Sequence, residues 1–263
     1  MPRRLTATAY EKVWGSPDTE PWWRNPERRN IGEIWFAASD SVPLLVKLLF
    51  TSDNLSVQVH PGDEYAREHH ESRGKTEMWH ILRAEPDAKV ALGLREQVSP
   101  QRLREAAADG EIMGLLDWIP VRRGDTFFIP AGTIHAIGGG IALCEVQQHS
   151  NITYRLYDYG RDRELHVEHA IAVAHLEPRA GMVKPELLVD CLYFQTERLA
   201  VDGHWSCASP RRSTLYVVLE GEGLFAGQPF GAGEAWEVEA GSEPFEIAGK
   251  AVFLITATPG NLP

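Results

Sequence analysis

Short runs rich in Val, Ile, Phe, Thr and Trp recur along this chain, broken at close intervals by 23 glycines and 17 prolines. Such residues fit a pleated surface, and the breaks leave little room for long helices. A chain of 263 residues patterned this way reads as mostly β, in the short strands of a sandwich or barrel. The expected strands are 31–37, 44–49, 55–59, 77–84, 89–94, 119–121, 125–129, 133–137, 142–146 and 153–156.

One helical island interrupts them. Ser99-Pro100 reads as a helix cap and first turn, Leu103, Ala106 and Ala107 recur at helical spacing, and Gly110 ends the run. A second short helix is expected over 112–118 and another over 167–174. Pro178, Gly181 and Pro185 mark a linker over 179–185. Beyond it, 193–199, 214–220, 223–225, 235–239, 245–248 and 251–256 read as further strands, with turns at 220–223 and 230–233. The expected organisation is a domain over 1–178 with a helical insertion at about 99–118, then a smaller β domain over 186–263.

Composition narrows the function classes. Lys+Arg 26 against Asp+Glu 37 gives a net charge of -11, which argues against nucleic acid or an anionic membrane surface as a partner. A small anionic substrate stays open, because a pocket can be locally basic. Cys144, Cys191 and Cys207 form no CxxC pair and read as reduced, buried thiols. No apolar segment follows Arg3 and Arg4, and no run of 18 apolar residues exists, so the expectation is a soluble cytoplasmic protein. Its oligomeric state is not legible.

The chemistry concentrates in three places. In Leu55-Ser56-Val57-Gln58-Val59-His60-Pro61, Gln58 and His60 share one strand face while Val57 and Val59 share the other. Lys75 and Glu77 share a face by the same rule. Downstream, Gly124-x5-Pro130-x-Gly132-x2-His135 ends a turn-rich hairpin on a histidine. Gln58, His60, Glu77 and His135 together would offer two imidazole nitrogens and two oxygens to one divalent cation, suiting Zn²⁺ and also Mn²⁺, Co²⁺ or Fe²⁺. Singly, each has a plainer reading: a hydrogen-bonded core histidine, a polar strand residue, or a Lys75–Glu77 ion pair. Their joint occurrence favours a metal site.

The Gly-x5-Pro-x-Gly-x2-His stretch resembles the second motif of the cupins. Leu55–Pro61, Gly74–Trp79 and Pro130–Ile137 resemble the type I mannose-6-phosphate isomerases (phosphomannose isomerases), nearest their short bacterial branch. Lys47 and Gln147-Gln-His-Ser-Asn-Ile-Thr-Tyr-Arg-Leu-Tyr-Asp158 add to the match, which is good over about 31–160 and loose elsewhere. The resemblance implies a cupin-type jelly-roll β-barrel followed by a smaller degenerate cupin-like domain. It also implies a zinc-dependent interconversion of mannose 6-phosphate and fructose 6-phosphate, with one ion per chain.

Carried over, Gln58, His60, Glu77 and His135 match the metal ligands, Arg155 the active-site arginine, Lys75 and Glu145 polar active-site positions, and Ser56 and Lys47 residues near the phosphate. Aldose–ketose isomerisation through a cis-enediol needs a polarised carbonyl, a proton relay and a held phosphate. Glu145 and Lys75 remain alternative candidates for the relay, and Arg155 has the plainer reading of an ion pair with Asp158 or Asp162. Longer relatives often carry a histidine where this chain has Gly74, so any role of that histidine does not transfer; whether His80 substitutes is open. Trp14 and Trp79 are candidates to line a sugar pocket. Competing readings are a non-catalytic cupin that binds sugar or metal and regulates a partner, and an Fe²⁺ oxygenase. The second is disfavoured because Gln58 stands where a His-x-His pair would begin.

Overall fold

In the computed structural model the described residues are 1–178, 182–184 and 189–259, the middle stretch by its backbone alone. Strands dominate and gather into three sheets. Among the described residues four helices interrupt them: α1 (Asp63–His70), α2 (Pro100–Asp109), α3 (Ile112–Leu115) and α4 (Val167–Val173). Among the described residues no helix is long and apolar enough to cross a membrane.

A five-stranded sheet runs in the order Tyr154–Tyr157, Val57–Val59, His135–Ile137, Lys89–Leu94, Leu116–Pro120. A seven-stranded sheet includes Thr126–Ile129, Glu77–Ala84, Ile141–Gln148, Leu44–Thr51 and Ile31–Ala37 in that spatial sequence, with Thr6–Ser16 beside the last two. Val90, Leu92 and Ile137 of the first sheet share a core with Trp79, Ile81 and Leu143 of the second. The other face of the five-stranded sheet, with Val57, Val59 and Ala136, is covered by Leu103, Ala106 and Ala107 of α2 and Ala170 of α4. The predicted split of Val57 and Val59 from Gln58 therefore has a physical cause: helices cover one side and the space between the sheets lies on the other.

The strand Leu44–Thr51 is buried throughout. Leu44, Val46, Leu48 and Phe50 face a third sheet, sharing a core with Leu215, Val217, Leu219 and Leu254. A strand covered on both sides loses polar alternation, which explains the nearly continuous apolar run. Lys47 is the charged exception, and it turns inward. The third sheet is ordered Arg3–Arg4, Ala235–Val238, Thr214–Phe225, Phe245–Ala257, Gln195–Cys207, Val189–Asp190. Its far face packs Phe225, Phe230, Trp236, Phe245 and Phe253 together.

The cupin-type, mostly β architecture is as expected, and several local expectations change. Segments 214–220 and 223–225 are one strand, as are 245–248 and 251–256, so there is no turn at 220–223. Gly221 and Gly223 serve close pairing instead: a Cβ there would meet the carbonyl oxygens of Lys250 and Ala248 at 1.9 and 2.0 Å. The helix expected over 112–118 stops at Leu115 and passes into the strand Leu116–Pro120. The linker over 179–185 lies outside the described residues except at Met182–Lys184, a strand paired with Thr126–Phe128. Thr6–Ser16 is an unpredicted strand. Arg3 and Arg4 pair with Glu237 and Trp236, so the first strand joins the sheet built by the last third of the chain.

Candidate metal centre

Strand register brings the predicted residues together. Gln58 lies opposite His135 on one side and Arg155 on the other. In the neighbouring sheet Glu77 lies opposite Gln147, and Glu145 lies between Lys47 and Trp79. His60 follows the end of its short strand, and Pro61 leads into α1.

His60, Glu77 and His135 are buried, with ligand atoms all within 4.8 Å of one another. The His60 Nδ1–H donates to the Ile152 carbonyl at 2.9 Å and the His135 Nδ1–H to the Thr133 carbonyl at 2.9 Å. Those bonds fix the tautomers, leaving both Nε2 lone pairs aimed at Glu77, 3.5 Å and 3.6 Å from its oxygens. Burial, then the nearby Lys75 and His135, holds His60 well below the ordinary histidine range; burial takes His135 down to about 4. Both rings are thus neutral, the form a metal requires. Neither oxygen of Glu77 receives a hydrogen bond, though Lys75 Nζ stands 3.3 Å from Oε2. A buried carboxylate so poorly satisfied, facing two imidazole lone pairs, is a donor set that fits a divalent ion.

Gln58 flanks this group in a different orientation. Its Nε2 faces His135 Nε2 at 3.2 Å, while Oε1 accepts a hydrogen bond from Ser56 Oγ at 3.2 Å. Ligation by Gln58 requires the amide to turn over, exchanging nitrogen for oxygen.

Next to the group is a cavity of about 480 Å³ lined by Lys47, Ser56, Gln58, Lys75, Glu145 and Arg155. All five residues expected to act on or bind substrate are therefore at one cavity wall. Lys75 Nζ is 3.0 Å from His60 Nε2. Glu145 Oε2 accepts from Trp79 Nε1 at 3.1 Å; Oε1 receives no hydrogen bond and lies 3.3 Å from Lys47 Nζ. Burial and Glu77 push the Glu145 carboxyl upward against the pull of Lys47 and Lys75. Burial lowers Lys47, but Glu145, Glu33 and Glu77 outweigh it and leave the ammonium above its ordinary range.

Arg155 is not the partner of Asp158, which instead pairs with Arg161 and Arg163. Its Nη1 donates to the Glu164 carbonyl at 3.3 Å, and its buried Nε has no partner. Trp14 lines the cavity, whereas Trp79 is wholly buried with its edge against His135.

No family model matches the chain. "Mannose-6-phosphate isomerase ManA" of Bacillus subtilis (strain 168) is 36% identical over 238 residues, covering 82% of this chain and 75% of that protein. The chain belongs to the mannose-6-phosphate isomerase family. "Mannose-6-phosphate isomerase" of Streptococcus mutans is 38% identical over 207 residues, 73% of this chain and 65% of the relative. The crystal structure of the mannose 6-phosphate isomerase from Bacillus subtilis superposes with a TM-score of 0.85 at 27% identity, covering 97% of this chain and 99% of that one. A putative mannosephosphate isomerase from Archaeoglobus fulgidus shares the fold, with a TM-score of 0.82 at 18% identity over 98% of this chain and 97% of its own.

Within this mannose-6-phosphate isomerase chain, the open question about His80 has a geometric answer. His80 lies on the strand face opposite Glu77 and Trp79 and contacts Thr126 Oγ1 at 2.9 Å, away from the cavity. Gly74 leaves no room for a side chain: a Cβ would meet Asp63 N, Gly62 C and Pro61 O at 2.7–2.8 Å. Glu33, Trp35 and His166 are among the cavity residues that escaped the sequence reading. Glu33 binds Lys12 at 3.1 Å and the Trp35 indole N–H at 3.1 Å, and Trp35 lies beneath Lys47 Nζ at 4.7 Å. Glu33 and Trp35 share a strand face, a parity that marks them as a pair. The His166 N–H donates to the Arg155 carbonyl at 2.8 Å and its side-chain Nδ1 accepts from the Arg155 N–H at 3.4 Å; no spacing announces that pairing.

Proposed function

We propose that this chain interconverts mannose 6-phosphate and fructose 6-phosphate, using one Zn²⁺ per chain held by His60, Glu77, His135 and Gln58. The observation that carries the reading is the buried group His60, Glu77 and His135, with both Nε2 atoms turned toward Glu77, beside a cavity that also presents Lys75, Glu145 and Arg155. A regulatory binding module needs no such convergence of a base, a donor and a guanidinium. Family membership supports the reaction class. The cavity volume of about 480 Å³ falls in the range of small-molecule sites, roughly 300–1,000 Å³.

When bound, the ion supplies Lewis acidity that stabilises negative charge on the substrate's carbonyl and hydroxyl oxygens. The chain's residues do the rest. Glu145 Oε1 is the base for the carbon-bound proton, since it accepts no hydrogen bond and burial raises its carboxyl above the ordinary carboxylate range. Trp79 holds the other oxygen and so fixes the carboxylate plane. Lys75 Nζ serves as the donor to substrate oxygen, and the unpartnered Nε of Arg155 supplies a fixed positive charge to an oxyanion. Ser56 and Lys47 contribute to phosphate and chain orientation at the cavity wall.

A coupled assay for fructose 6-phosphate, run beside elemental analysis, tests the proposal. Purified protein should carry a stoichiometric divalent metal, lose turnover on chelation and regain it with Zn²⁺. Full turnover in a metal-free preparation refutes it.

A further inference from the structure

The segment Gly74–Thr76, which delivers Lys75 to the cavity, has all three main-chain N–H groups committed. Gly74 donates to Asp63 Oδ1 at 2.8 Å, Lys75 to the Pro61 carbonyl at 3.0 Å, and Thr76 to Gln148 Oε1 at 2.9 Å. Gln148 Nε2 donates back to the same Asp63 oxygen at 2.9 Å, and the Gln148 N–H donates to the Thr76 carbonyl at 3.1 Å. One carboxylate oxygen thus joins the first turn of α1, the approach to Glu77 and the end of the strand that carries Glu145. Because Asp63 stands three residues after His60, the same ring of bonds sets His60 against Lys75.

The ring borders the C-terminal part of the chain. Tyr193, Asp63 and Gln148 wall one small pocket together. Tyr193 lies between Val189–Asp190 and Gln195–Cys207, both strands of the third sheet.

We infer that Asp63 is a positioning residue for Lys75. The inference rests on the proposed role of Lys75 as proton donor. Lys75 is only 5% exposed, and its long side chain has many rotamers. The main chain must therefore hold its Cα closely, because displacements near 1 Å can cost about a hundredfold in rate. Removing Asp63 leaves the Gly74 N–H and the Gln148 amide without their shared acceptor, freeing the segment.

Two readouts test this. The first is amine-reactive labelling of each lysine, followed by mass spectrometry, which needs no catalysis. Asp63→Ala should label at Lys75 about fivefold faster, with exposed Lys89 and Lys250 unchanged. The second is steady-state kinetics with mannose 6-phosphate. Asp63→Ala should lower kcat about tenfold with KM within about threefold and metal content unchanged, while Asp63→Asn, which keeps the Oδ1 acceptor, restores most of the loss. Unchanged Lys75 labelling in Asp63→Ala overturns the inference, as does an equal rise at Lys89. A kcat loss matched by metal loss also overturns it. Should the unsubstituted protein fail to turn over mannose 6-phosphate, the proposed function falls, and the labelling ratio decides the positioning of Lys75 separately.

Discussion

The rings of His60 and His135 stand 4.8 Å apart, centroid to centroid, each with its Nδ1–H spent on a main-chain carbonyl. That arrangement prepares two Nε2 atoms before any ion arrives. His135→Ala should therefore lower bound divalent metal at least tenfold by elemental analysis, with the fold retained by circular dichroism.

Arg155→Lys should keep metal and lose turnover, by roughly 10²–10³ in kcat, because an ammonium does not reproduce the planar fork at the cavity wall. Metal content and kcat measured on one preparation check this. Wild-type kcat in Arg155→Lys removes the guanidinium from the mechanism.

Glu145→Gln keeps the acceptor for Trp79 Nε1 but removes the base. We expect kcat to fall by about 10²–10⁴ with bound metal unchanged. Exchange of solvent deuterium into the substrate, followed by NMR, should fall in parallel.

His80 supplies an acid-sensitive stability term outside the active site. Burial, then Arg198, lowers it from 6.5 to about 4, so the folded protein holds it neutral where the unfolded chain protonates it. The unfolded state binds more protons across that interval, so stability is full above about pH 6.5 and is lost as pH falls toward about 4. Between about pH 7 and 5 the loss is about 2 kcal/mol. Urea titrations of His80→Gln should show a correspondingly shallower pH dependence than the unsubstituted protein.

Gly74→Ala should destabilise by about 1–3 kcal/mol, because the new methyl group meets backbone atoms of 61–63 that cannot turn away. Thermal melting checks it. An unchanged midpoint means that the start of α1 can shift.

Residues that follow a period of two were legible. Gln58 and His60 fall on the face that alternation assigns them, and Val57 and Val59 meet helices on the other. The cap at Ser99 also holds: its side chain accepts from the Arg102 N–H at 3.1 Å, and Gly110 adopts φ 85° at the far end. What failed depends on partners distant in sequence. Gly221 and Gly223 carry a turn signal, yet their missing side chains admit the carbonyls of a neighbouring strand. Thr6–Ser16 has mostly exposed or half-exposed residues in its first eight positions, so its apolar signal is faint although its pairing with Ile31–Ala37 is extensive. Glu33 and His166 enter the cavity through sheet register and a loop return, neither of which local pattern encodes.

Arg3 donates to the buried Glu237, which also accepts from the Ser39 N–H and hydroxyl. Residues more than 190 positions apart are thus stitched along one seam. During synthesis Arg3–Arg4 must wait, unpaired, until Ala235–Val238 emerges. A protease nick between the halves would leave each fragment with a raw β edge and one of them with an unneutralised carboxylate.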